Sequence, residues 1–374
     1  MATKTHAVLP GSRRKKDPQA IFVGEVNPKQ RITVTVGLSG PKLPGPDEYV
    51  GQTLTREQFA EKFSATKADA DKVAASLKKF GLKVEDVNLD ARSMRVSGTA
   101  SAMEAAFKPG MVLMRSARQG EYRGREGSLS IPAELKGIVT GVFGLDNRQM
   151  AHRKTTTASA AHAGTLTPLT PADLEQRYNF PAGDAAGQAI AIAEFGGGYF
   201  ADDTAAYCAK FGRTIPTVKA IAVDAPAFTL QQILALPRPQ RREQLGFSGE
   251  VMMDVQVMAG LCPKANISVY FSTFDQRGWV DLLDQVTAAR PVTLSISWGL
   301  AEDDGSWSSN AITAINDRLN AARLLGITTC ISSGDDGSGD QVTDGEGSRR
   351  LPQLQPERIE RGWHHASQIW CQRQ

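Results

Sequence analysis

Five short apolar runs recur after residue 187: QAIAIAEF (188–195), KAIAVD (219–224), ANISVYF (265–271), TLSISWG (293–299) and ITTCIS (327–332). Between them lie segments that read as helices: residues 202–211, SGEVMMDVQVMAG (248–260), WVDLLDQVTAA (279–289) and NAITAINDRLNAARLLG (310–326). A strand that is apolar on both faces has to be covered on both faces. Strands of that kind alternating with helices imply a parallel, doubly wound α/β sheet. In such sheets ligands and chemistry sit at the carboxyl ends of the strands.

Three of the runs end in polar or glycine-rich corners. They are Glu194 followed by Gly196-Gly197-Gly198, Ser297-Trp298-Gly299, and Gly334-Asp335-Asp336-Gly337. The segment 248–260 adds Glu250 and Asp254, four apart and so on one face of a helix, in an otherwise apolar sequence. Burying an unpaired carboxylate is costly. Histidine occurs only at 6, 152, 162, 364 and 365, so a catalytic site between 163 and 363 has to work without it. Each member of the set has a plain alternative: Glu250 as a surface acid, Asp335 as a turn former, the glycines as a turn. The glycines lack the Lys and Ser/Thr of a phosphate loop. Carboxylates would also suit a hard cation.

The first 150 residues have a different pattern. Strand 31–39, two helices within 55–81, strands over 82–93 and 94–100, helix 101–107 and a closing segment near 131–146 follow the order of a ferredoxin-like split βαβ unit. Residues 151–168 (AHRKTTTASAAHAGTLTP) lack periodicity and read as an exposed, protease-sensitive linker.

The stretches AIAEFGGGY, GEVMMDVQVMAGLCPKANISVYF, SISWG and SSGDDGSGD, with GTASAMEAAF and IPAELKGIVTGVFGLD upstream, resemble the sedolisins, or serine-carboxyl peptidases, of the kumamolisin branch. The resemblance implies a subtilisin-like fold, here incomplete, preceded by an α+β activation prodomain. It assigns Glu250 as general base and Asp254 as its orienting partner. Glu194 and Trp298 extend that network, and Asp335 is the oxyanion-hole acid, which has to be protonated to donate. Peptide or protein substrates, the chain's own prodomain as partner, a monomer, an extracellular location and acidic working pH are also implied. The family's calcium site lies near its C-terminus and is absent here. The boundaries expected are a polar segment to residue 27, the prodomain over 28–150, the linker over 151–168, the first half of the peptidase domain over 169–345, and a tail over 346–374.

Two departures stand out. Residues 225–247 replace a Gly- and Asp-rich loop of the family. The tail carries no Gly-Thr-Ser, the family's nucleophile motif, and its strand–helix alternation stops at Gly345. Written in degenerate codons and read from the second base, residues 346–365 can encode a Val-Asp-Phe-Pro segment, a Ser-Pro and a Gly-Gly-Thr, the order of the family's continuation. A frameshift near Gly345 is therefore expected, with an encoded chain that lacks its nucleophilic serine. The half sheet left behind is expected to expose apolar surface. The runner-up reading is a non-catalytic inhibitor or chaperone of a related peptidase; a ligand-binding domain without peptidase history ranks last.

Net charge is +3 and the basic runs are short, which argues against nucleic acid. Arg13 to Lys16 and Arg238 to Arg242 read as solvated loop charge. No apolar run is long enough to span a membrane, and the first residues lack the apolar stretch of a secretory signal. Cys208, Cys262, Cys330 and Cys371 fit no metal or disulfide spacing; Cys262 and Cys330 are expected to be buried.

Overall fold

The computed structural model describes residues 5–45, 47–117, 119–150, 169–301, 306–332 and 350–351. The expected linker, Asp335 and all of the tail except Arg350 and Leu351 lie outside them. Those two residues pair antiparallel with Leu300–Ala301.

The N-terminal unit is built on strands β1 (Arg31–Leu38), β2 (Lys83–Asn88), β3 (Ser93–Thr99) and β4 (Val139–Phe143), with helices α1 (Arg56–Phe63), α2 (Lys67–Lys78) and α3 (Ala100–Phe107). The strands form an antiparallel sheet in the order β2-β3-β1-β4. That is the split βαβ arrangement read from the sequence. Alternation in β1 sends Ile32, Val34 and Val36 into a core with Val73 and Leu77 of α2 and Met103 and Phe107 of α3. Thr55, Thr66 and Thr99 cap the three helices, each accepting from a backbone N–H of the first turn. A smaller sheet of Ile21–Glu25, Val112–Ser116 and Gly120–Gly124 was not foreseen.

The second unit carries β5 (Ala189–Glu194), β6 (Thr217–Ala222), β7 (Asn266–Phe271), β8 (Thr293–Ile296) and β9 (Thr328–Ile331). All neighbours are parallel, in the order β6-β7-β5-β8-β9. Its helices are α4 (Pro171–Arg177), α5 (Ala201–Lys210), α6 (Leu230–Ala235), α7 (Arg238–Leu261), α8 (Gln276–Ala289) and α9 (Ser309–Leu324). Ile190, Ile192, Ile267 and Val269 meet Val251 and Val255 of α7 on one face. Ala191, Ala193, Leu294 and Ile296 meet Trp279 and Leu283 of α8 and Ile315 of α9 on the other. The sheet is thus doubly wound, and the apolar runs reflect burial on both sides. After β5 the chain builds β6 and β7 on one flank, then crosses to β8 and β9 on the other. The order reverses between β5 and β8, the kind of place at which open α/β sheets bind their ligands.

The second face of the N-terminal sheet rests on α8. Thr35 Oγ1 donates to Asp281 Oδ1 (2.5 Å), and Ser93 Oγ donates to Asp284 Oδ2 (2.8 Å). Arg95 reaches Asp281 at 3.3 Å and Asp224 at 3.4 Å, and Arg277 pairs with both acids. Burial, with Asp281 alongside, pushes the Asp224 carboxyl up to about 7 against the pull of Arg277 and Arg95.

Three expectations need correction. Arg238–Arg242 are not loop: they form the first turns of α7, a helix of 24 residues whose Pro239 sits in the first turn, where no N–H is required. Arg14 is not solvated; it is buried, bonds Asp146 at 3.3 Å and donates to the Ser306 carbonyl. Cys262 and Cys330 are half-buried, while Cys208 is the fully buried thiol.

Candidate active site

Glu194 ends β5, and its side chain is fully buried. The strand β8 pairs with β5 and stops at Ile296, so Ser297 and Trp298 lie just past its end, on the same edge as Glu194. Trp298 Nε1 donates to Glu194 Oε2 at 2.8 Å. The indole is fixed edge-on against Phe247 (5.1 Å between centroids) and Phe274 (5.2 Å), with Phe195 at 6.3 Å. Among the described residues no partner reaches Glu194 Oε1, although that atom is buried.

Helix α7 supplies the other acids. Glu250 is buried, and Asp254, one turn on, is half-buried. Ser297 Oγ donates to Asp254 Oδ2 at 2.6 Å, which ties α7 to the end of β8. Desolvation is the largest influence on Glu194 and pushes its carboxyl well above the usual range. The charge of Asp254 adds to this, the Trp298 bond opposes it, and Glu250 adds a smaller push. The structure therefore brings Glu194, Trp298, Glu250 and Asp254 to one strand edge.

The glycines are a packing device, as the turn reading holds. Gly197 has φ +74°, and a Cβ there would lie 2.5 Å from Ser248 N. The loop lies directly on α7: Gly198 N donates to Ser248 Oγ (2.9 Å), and Gly197 N to Gln244 Oε1 (2.9 Å). This contact sets the height of α7 against β5, and with it the position of Glu250.

Sequence reasoning missed Ser297 as the partner of Asp254, and missed the phenyl rings that hold Trp298. Only the place of Ser297 beside Trp298 in a strand-end corner hinted at it. Among the described residues no three acid, histidine or cysteine side chains are grouped as metal ligands. No described helix is long and apolar enough to cross a membrane.

Residues 18–148 match the pro-kumamolisin activation domain family. Kumamolisin of Bacillus sp. (strain MN-32) is 33% identical over 90% of this chain and 63% of its own length. Tripeptidyl-peptidase sed5 of Aspergillus fumigatus is 25% identical over 90% of the chain and 62% of that protein. Sedolisin of Pseudomonas sp. (strain 101) is 26% identical over 79% of the chain and 50% of its own length. The chain thus spans half to somewhat under two thirds of these relatives.

Proposed function

Because the chain belongs to the sedolisin family of serine-carboxyl peptidases, we propose that its strand-edge acids are the proton-handling half of a serine-type endopeptidase site. Glu250 is the general base: its carboxylate takes the proton of a serine hydroxyl as that oxygen attacks a peptide carbonyl, and returns it to the leaving amine. Asp254 orients Glu250. Glu194, held by Trp298, is the proton donor behind them, and Asp335 donates to the oxyanion. The supporting observation is the buried Glu194, with one oxygen bonded to Trp298 and the other without a described partner, in the field of Asp254 and Glu250.

The substrates are peptides or proteins, and the N-terminal unit is the partner that covers the second unit before processing in 151–168. The zymogen works as a monomer, outside the cell, at acidic pH. The 374 residues contain no Gly-Thr-Ser, the motif from which the proposed site would draw its nucleophile. A peptide-cleavage assay at acidic pH on the purified chain is expected to give no turnover. Turnover abolished by Glu250→Gln would overturn that expectation.

A second reading follows from the N-terminal unit, which carries its own core and matches the activation-domain family over 18–148. It would inhibit or assist the folding of a related peptidase. Adding the chain to active kumamolisin and finding undiminished cleavage would rule this out.

A further inference from the structure

A cavity of about 250 Å³ opens beside the acid cluster. Its apolar wall is made of Phe195, Phe228, Phe247, Phe271 and Phe274. Most of the polar side chains around it are engaged, the exception being Gln149, whose Oε1 has no partner among the described residues. Gln244 Oε1 accepts from Gly197 N, Asp275 Oδ1 accepts from Gly278 N (2.9 Å), and Ser272 Oγ donates to the Gly278 carbonyl (3.0 Å). With those three groups engaged and five phenyl side chains in the lining, the site favours an apolar, flat group over an ion. An apolar cavity of about 150 Å³ is enough to take up benzene, so this one has room for a phenyl ring and its methylene.

Its position connects it to the acids. Phe247 lies one turn before Glu250 on α7, and both Phe247 and Phe274 pack on the indole that holds Glu194. A peptide backbone already runs along the rim. Asn147 and Gln149 of the N-terminal unit line the cavity, and Met150 N donates to the Phe274 carbonyl at 2.8 Å. Phe228 and Gln244 come from 225–247, the stretch in which this chain departs from the family's loop. Phe228 N donates to the Gly197 carbonyl (2.9 Å), which fixes that stretch to the glycine turn.

We propose that this cavity is a subsite for an aromatic side chain of a peptide, with Phe228 as its specificity-determining wall and residues 147–150 lying across its mouth. The assignment rests on the peptidase reading for its role and on the cavity alone for its ligand.

The test is binding to the full 374-residue chain, read by tryptophan fluorescence, since Trp298 adjoins the site. The probes are N-acetyl-phenylalanine amide, N-acetyl-alanine amide and N-acetyl-lysine amide. Saturable binding of the phenylalanine probe alone is expected. Phe228→Ala, which removes one ring contact, is expected to weaken it by about threefold to tenfold. Phe228→Trp, which fills the space, is expected to abolish it. Both variants should keep the parent's thermal transition, because Phe228 is only half-buried. Equal binding of the three probes, or unchanged affinity in both variants, would overturn the subsite. The readout needs no turnover, so a failed peptidase reading leaves this result standing, and a failed subsite leaves the acid cluster untouched.

Discussion

Replacing Glu194 by Gln tests whether this buried acid is neutral in the folded chain. The substitution keeps an oxygen in place to accept from Trp298 Nε1 and keeps the volume within the ring of Phe195, Phe247 and Phe274. Burial, reinforced by Asp254, raises the folded-state value above the unfolded one. For a raised acid the stabilising contribution is fully present below the unfolded value and is lost as pH rises through the folded value. Between those limits the folded state holds one more proton than the unfolded state. Wild-type stability should therefore fall by about 1.4 kcal/mol for each pH unit from this group alone. Glu194→Gln removes that term. Urea unfolding at half-unit steps from pH 4.5 upward should give the variant a slope less negative by one proton, with a stability change within about 1 kcal/mol at pH 4.5, where both side chains are neutral. Parallel slopes, or a loss of several kcal/mol at pH 4.5, would refute a neutral Glu194.

Asp224→Asn should also flatten the profile. Its carboxyl, raised to about 7, gives stability that is full below the ordinary aspartate range and is lost as pH rises to about 7, by at most about 4 kcal/mol. An unchanged pH profile in urea melts would count against it. Gly197→Ala should cost about 2 kcal/mol or more, because a positive φ and a 2.5 Å approach to Ser248 N both oppose a Cβ; an unchanged melting temperature would contradict this. Trp298→Phe should destabilise by about 1–3 kcal/mol, chiefly from leaving both Glu194 oxygens unpaired, and unchanged denaturant midpoints would tell against it. Ser297→Ala should cost about 1 kcal/mol through its bond to the half-buried Asp254, and a loss of several kcal/mol would show a larger role.

What the sequence revealed follows from where each signal resides. The AIAIAE strand was legible because burial on both faces leaves a continuous apolar run. Glu250 and Asp254 were legible because acids on an apolar helix, in a stretch free of histidine, call for an explanation. The first turns of α7 were not, since Arg238, Pro239, Arg241 and Arg242 have no apolar spacing and proline reads as a breaker except in a first turn. The bond from Ser297 to Asp254 joins segments 43 residues apart, and no local pattern encodes such a contact. Asp281 and Asp284 lie in the apolar segment WVDLLDQVTAA, and nothing local in the sequence names their partners. Their partners Thr35, Ser93 and Arg95 belong to the other unit, so their role appears only once the two units are packed.

The most direct measurement is peptide cleavage at acidic pH by two proteins side by side. One is the 374-residue chain. The other is expressed from DNA shifted by one base at codon 345, so that the codons of residues 346–365 are read from their second base. The expected result is no turnover by the first and cleavage by the second that Glu250→Gln abolishes. No cleavage by the frame-shifted chain, or cleavage that survives Glu250→Gln, would contradict the assignment of these acids.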